Sequence, residues 1–439
     1  MDAMPSVQSP VSFPLQDHFR TSVRPVLLAL LCGVLIVMYQ VGCSVLIAKQ
    51  PVLSEAYRAM GLGYDSNWYA GIMSVGYSAE HGLKKIANVA FMPGYPLLAR
   101  PLFQLLSQPV FAEIIMYPTQ IALLLTAQLC AVVAWMLLIL LMRRFGVSPW
   151  LIALSILMIL AQPFSFIMVW GYSESLFLAA VTGLLLCLTK PAGLRVGLIA
   201  QGCAFVASAT RMHSLVLLVI PLMIGSASVW NDPLRLQWPR KLWYYGSIGV
   251  SALTGAVVFF SYLYWKFGDW LLYFHAQIEG WGHDGIGFLG IFNWRIYRPW
   301  WRLFVTNYAE GLWIDLTGII VPVFTLVCLS LFIGSLVLAY KKRPEPFSGA
   351  VAVFVFGMLY LTIVGVGKFH DFGFTAVGLS RYEFPMMFLL FPFVIIQIRA
   401  LFRKPFNLFA YGILGCTVIP LLLYHFYVLN LAVNNHLAL

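Results

Sequence analysis

Between Thr119 and Met142 the chain carries no charged residue. A run of that length matches the roughly 20 apolar residues that cross the hydrocarbon core of a bilayer. Inside a bilayer no water satisfies the peptide groups, so a spanning segment must be a helix or part of a closed barrel. Similar runs near 26–48, 149–169, 174–189, 196–210, 213–229, 244–265, 312–340, 347–367, 384–399 and 406–429 bring the expected spans to eleven. Composition agrees: 61% of residues are hydrophobic and 10% charged, where soluble domains carry about 25% charge. The expected fold is an all-α polytopic membrane protein, with residues 1–439 forming one integral-membrane domain.

Charge sets the orientation. With residues 1–25 in the cytoplasm, the inner segments hold 15 of the 27 basic residues and four of the 16 acidic ones. Short basic loops face the cytoplasm, so the net charge of +11 is chiefly a topology signal and calls for no nucleic-acid partner. Two long loops, 49–118 and 266–311, then lie outside and are too aromatic for disorder. Long ordered loops are usually functional, which makes the outer face the working face. The seven cysteines fall in or beside apolar runs with no C-x-x-C spacing, and neither a disulfide framework nor a metal site is expected.

Polar residues are few enough to be weighed singly. In GYDSNWYAGIMSVGY (63–77) the expected helix starts at Ser66 under a cap from Asp65, with Trp68, Ile72 and Val75 as an apolar stripe on the membrane surface. Asp65 is then a cap, or a carboxylate able to take a proton from a hydroxyl. NVAFMPGYPLLARPLF (88–103) is too proline-rich for a span and reads as an interfacial or re-entrant hairpin turning at Gly94, or as a packing elbow. WGYSES (170–175) puts Glu174 at a helix mouth, as a cap with Ser173 or as a carboxylate that binds hydroxyls.

ATRMHS (209–214) breaks an apolar stretch with Arg211 and His213. Ionisable groups at membrane depth are functional by default, with snorkelling as the rival reading, and an arginine fork suits phosphate. SRYEFP (380–385) sets Arg381 at another helix mouth after Lys368 and His370, either sharing a phosphate with Arg211 or anchoring the helix. In the second long loop, Trp281 and His283 lie among tryptophans that form an interfacial belt or stack on sugars. RIYRPWWR (295–302) reads as a surface helix with arginines for lipid phosphates.

Four of these stretches, YDSNWYAGIMSVGY, NVAFMPGYPLL, GYSESLFLAA and ASATRMHSLVLL, together resemble the PIG-V-type mannosyltransferases of the GT-C superfamily in order and spacing. FGDWLLYFHAQIEGWG and SRYEFPMMFLLFP are similar to the bacterial branch. The chain departs from the family pattern at Tyr64, at Met92 and at the Met-His pair after Arg211. The resemblance implies a GT-C-like fold and a membrane glycosyltransferase that moves mannose from a polyprenyl-phosphate donor on the extracytoplasmic side. That side faces outward from a bacterial plasma membrane, or into the endoplasmic reticulum lumen in a eukaryote. A catalytic acid in the first outer loop then falls on Asp65.

The expected reaction is one inverting displacement. Asp65 acts as general base, Arg211 and Arg381 hold the leaving phosphate, and Lys368 and His213 are further candidates for it. Trp68, Tyr69, Tyr172, Glu174, Trp281 and His283 are the candidates for holding sugar or acceptor. No cofactor is expected, and transfer is expected to be metal-independent. The acceptor, a glycolipid, a polysaccharide or a protein, stays open. Two alternatives remain: a transporter or lipid flippase, against which the lack of a repeated broken helix speaks, and a related enzyme using another polyprenyl-linked sugar.

Overall fold

The computed structural model describes residues 23–48, 50, 52–61, 63–79, 87–112, 115–230, 238–280, 289–293, 305–308, 311–313, 317–341, 345–370, 373–376, 379–401, 421–423, 425–430 and 433. The amino-terminal segment, the surface helix expected at 295–302, Trp281, His283 and most of the expected span 406–429 lie outside them.

In chain order the helices open with α1 (Val23–Ile47), α2 (Leu53–Ala59), α3 (Tyr64–Ser74), α4 (Gly94–Leu106) and α5 (Pro109–Ala112). They continue with α6 (Pro118–Arg144), α7 (Pro149–Leu160), α8 (Glu174–Leu188), α9 (Leu194–Thr210), α10 (Val219–Trp230) and α11 (Trp238–Phe267). After α12 (Leu272–His275) come the hairpin β1 (Val305–Tyr308)–β2 (Gly311–Trp313), α13 (Thr317–Tyr340) and α14 (Pro346–Val366). A second hairpin, β3 (Gly367–His370)–β4 (Gly373–Ala376), precedes α15 (Leu379–Leu401). Among the described residues, seven helical segments are long and apolar enough to cross a membrane. Apart from the two hairpins this is an all-α membrane protein. Four shorter apolar helices, Pro149–Leu160, Glu174–Leu188, Leu194–Thr210 and Leu421–Asn430, stand where further spans are expected.

Three expectations change. The run at 149–169 is not one helix: α7 stops at Leu160, and Pro163, which has no N–H to donate, ends the helical ladder. Residues 161–173 continue as buried, mostly irregular chain. Backbone of that kind is tolerated at membrane depth where protein satisfies it. Here Gln40 Nε2 donates to Ser165 O at 2.7 Å, and Trp170 Nε1 donates to Ser44 Oγ at 3.2 Å. The stretch 88–103 is not a hairpin but a 3-10 turn followed by α4, packed on α6 and α9. Gly94 serves close approach there, because a Cβ would stand 2.8 Å from Ala209 O. The span expected from residue 312 begins at Thr317, behind β2.

Lipid offers helices no hydrophobic drive to associate, so close packing of small residues carries much of the contact. α9 meets α11 closely: a Cβ on Gly197 would stand 2.9 Å from the Tyr244 ring, and one on Gly255 would stand 2.6 Å from Phe205 O. Gly255 N–H donates to Ser208 Oγ at 2.9 Å, and Gln201 Nε2 donates to Ser247 Oγ at 2.8 Å. These paired levels make α9 and α11 parallel, with α10 returning between them. The same alternation brings the start of α8, the end of α9, the end of α11 and the start of α15 to one end of the bundle. At that end, segments of the two long connections interlock: Lys266 Nζ donates to Tyr77 O at 2.7 Å and Gln277 Nε2 to Ala90 O at 2.9 Å.

Candidate functional site

α3 starts at Tyr64 with Gly63 as its cap residue, so Asp65 sits inside the first turn and does not cap the helix. Its buried face is also turned from the expected one. Ser66, Tyr69, Ile72 and Met73 are buried, whereas Val75 is 89% exposed. The cause is what lies beneath: α3 rests on α4 and α6, not on lipid alone. Ser66 Oγ donates to Gly171 O at 2.9 Å and Tyr69 OH to Ser173 Oγ at 3.0 Å, which fixes α3 on the stretch before α8. Asp65 is thereby held over the mouth of α8.

Glu174 is the first residue of α8 and is fully enclosed. Ser173, the expected cap partner, makes no side-chain cap bond. At Arg211 the chain leaves α9 with extended dihedrals (φ −146°, ψ 139°) and re-enters helix as a 3-10 turn over Met212–Leu218. The expected break is present and points Arg211 inward. Arg381 stands in the first turn of α15.

These four charges converge. Arg381 Nη2 donates to Asp65 Oδ2 at 2.5 Å and Arg381 Nε to Glu174 Oε1 at 2.8 Å. Arg211 Nη1 approaches the same Glu174 oxygen at 2.9 Å. That approach is a charge contact, since its N–H is not aligned and the atom lacks a hydrogen-bond partner among the described residues. Glu174 Oε2 lacks one as well. Arg211, Arg381 and Glu174 are 7%, 6% and 0% exposed, whereas Asp65 is 18% exposed and is the open member of the four. Two guanidiniums face two carboxylates, so the cluster is neutral as it stands.

Aromatic rings brace the arginines. The Arg381 guanidinium lies 4.7 Å from the Tyr172 ring centre and 5.7 Å from that of Tyr382, while Arg211 lies 5.0 Å from Tyr382. Ring faces attract cations at such distances. Burial first, and then the negative charges of Asp65 and Glu174, push the Tyr69 phenol well above its ordinary value, so it stays a neutral donor.

Of the residues singled out in the sequence, Asp65, Glu174, Arg211, Arg381, Tyr172 and Tyr69 come together. His213 faces elsewhere: its Nε2 meets Thr362 Oγ1 at 3.0 Å and its ring lies 5.3 Å from that of Tyr382. Trp68 stacks on Phe91 with ring centres 5.8 Å apart. Lys368 lies in β3, and its side chain falls outside the described residues. Tyr382, next to Arg381, is not singled out in the sequence, and Ser173, expected as a cap, instead accepts from Tyr69 OH. Among the described residues no three His, Cys, Asp or Glu side chains are grouped to hold a metal ion. No protein-family model matches the chain, and no curated protein matches it.

Proposed function

We propose that the chain is a membrane glycosyltransferase with a GT-C-like arrangement of eleven spans, which moves mannose from a polyprenyl-phosphate donor to an extracytoplasmic acceptor. The observation that carries the reading is the meeting of Asp65, Glu174, Arg211 and Arg381 from four separate elements at the end where both long connections lie. Burying four charges at one point is costly for a scaffold that needs only packing, and perturbed charge clusters gather at functional sites.

In the proposed reaction Asp65 takes the proton of the acceptor hydroxyl. The hydroxyl oxygen attacks the anomeric carbon from the face opposite the phosphate, and the bond from that carbon to the phosphate oxygen breaks. The electron pair stays on the departing polyprenyl phosphate, whose added charge Arg211 and Arg381 offset. Glu174, fully enclosed, holds both guanidiniums in register. Tyr69 and Tyr172, both buried, pack around the cluster from within.

The test is transfer of radiolabelled mannose from polyprenyl-phosphomannose by protein in detergent, where no compartments exist for a transporter to connect. Transfer by the wild type and its loss in Asp65→Asn are expected, as a general base contributes about 10²–10⁴-fold. Full activity in Asp65→Asn would remove the base assignment. Activity abolished by EDTA and restored by manganese would remove the metal-independent mechanism.

A further inference from the structure

Asp65 is bound to the group that the proposed donor needs. Arg381 Nε is committed to Glu174, and the edge bearing Nη2 is occupied by Asp65. Glu174 is enclosed and also faces Arg211, so Arg381 is anchored from behind. Asp65, on a different helix and 18% exposed, is the member with room to leave. Without it, Arg211, Arg381 and Glu174 carry a net charge of +1, which favours an anion in the vacated place.

We infer, resting on the donor reading above, that Asp65 and the donor's phosphate compete for the same guanidinium edge of Arg381, so that donor binding is the event that releases Asp65 for the acceptor. A phosphate monoester or diester oxygen accepts from Nη2 in place of the carboxylate, and no covalent bond changes in the exchange. Free Asp65 then faces the space over the mouth of α8 as an unpaired base. The donor must arrive first, and an acceptor that comes early meets a carboxylate still held by arginine. Glu174 acts in this scheme as a positioning residue, because it keeps Arg381 in place while its other partner changes.

The experiment measures binding of polyprenyl monophosphate, of inorganic phosphate and of neutral polyprenol to the full-length protein in detergent. Asp65→Asn, which removes the competing charge while keeping the shape, is expected to bind polyprenyl monophosphate on the order of tenfold more tightly than wild type, the scale for a partly buried ion pair. Inorganic phosphate should tighten in parallel if the anion alone drives the exchange, and polyprenol should not change. Asp65→Ser gives an independent second variant with the same expectation. In an Arg381→Gln background Asp65→Asn should have no effect on phosphate binding, because the contested group is gone.

Unchanged or weaker phosphate binding in both Asp65 variants overturns the competition, and so does a gain that survives Arg381→Gln. Equal tightening of polyprenol also overturns it. If the wild type and both variants fail to bind the lipid phosphate, the donor reading falls as well. If wild type binds it and the variants bind no tighter, the competition falls alone.

Discussion

Glu174→Gln is the substitution that most directly tests the buried cluster. The carboxylate is completely enclosed and lies 2.8 Å from Arg381 Nε and 2.9 Å from Arg211 Nη1. At an effective dielectric of about 20, each such contact is worth about 5–6 kcal/mol before desolvation. Removing one partner from a buried ion pair costs about 3–5 kcal/mol net, because the other charge is left uncompensated. Glutamine keeps an oxygen for the Arg381 hydrogen bond and Asp65 still offsets one guanidinium, so the lower end, about 3 kcal/mol, is expected. Adding Arg211→Gln removes the stranded charge. The double variant should therefore be more stable than the sum of the two single effects by about 2 kcal/mol. Unfolding in detergent micelles, followed through tryptophan fluorescence for wild type, both single variants and the double, measures this coupling. A Glu174→Gln protein as stable as wild type, or strictly additive effects, would refute the claim that Glu174 and Arg211 interact as a buried pair.

Two further predictions concern the frame. A Cβ at Gly255 would stand 2.4 Å from Ala209 N and 2.6 Å from Phe205 O, so Gly255→Ala must push α11 away from the last turn of α9. Lower thermal stability and weaker activity together are expected in that variant, since Arg211 follows two residues beyond Ala209, and a silent variant would show that the contact is not limiting. Glu345, buried just before α14, accepts the Ser348 N–H on both oxygens at 3.1 Å, while burial pushes its carboxyl above the ordinary range. A raised carboxyl favours its protonated form in the folded state. Stability contributed here therefore falls as pH rises from the usual carboxylate range through the raised value and is level above it. Melting curves followed upward in pH from the ordinary carboxylate range should show that slope in wild type and a flatter one in Glu345→Gln.

Much of this was readable in the sequence because membrane helices write themselves as apolar runs. The breaks in those runs were readable too: Arg211 interrupts α9 from the following helical stretch where ATRMHS suggests it. Partnership was not readable. Asp65 and Arg381 are 316 residues apart, and nothing local in either stretch names the other. The buried face of α3 differs from its apolar stripe for a related reason. Trp68, Ile72 and Val75 are the greasier stripe, but α4 and α6 supply a protein floor that selects Ser66, Tyr69, Ile72 and Met73. Hydropathy stays high through Pro163, although α7 ends at Leu160. The local sequence cannot announce that Gln40, a residue of another helix, satisfies the irregular chain beyond.

The unequal lengths of the helices have a consequence for reach. Arg144 Nη2 contacts Thr189 O, which sets the far ends of α6 and α8 level. At the other end Gly171, just before α8, lies level with Leu123, while α6 continues on to Pro118. α8, with 15 residues, rises about 22 Å against a hydrocarbon core of about 30 Å. α6 therefore continues about 8 Å past the level at which the stretch before α8 begins. A helix shorter than the hydrocarbon core thus sets its first residue, Glu174, and the charges gathered on it below the level at which the neighbouring α6 begins.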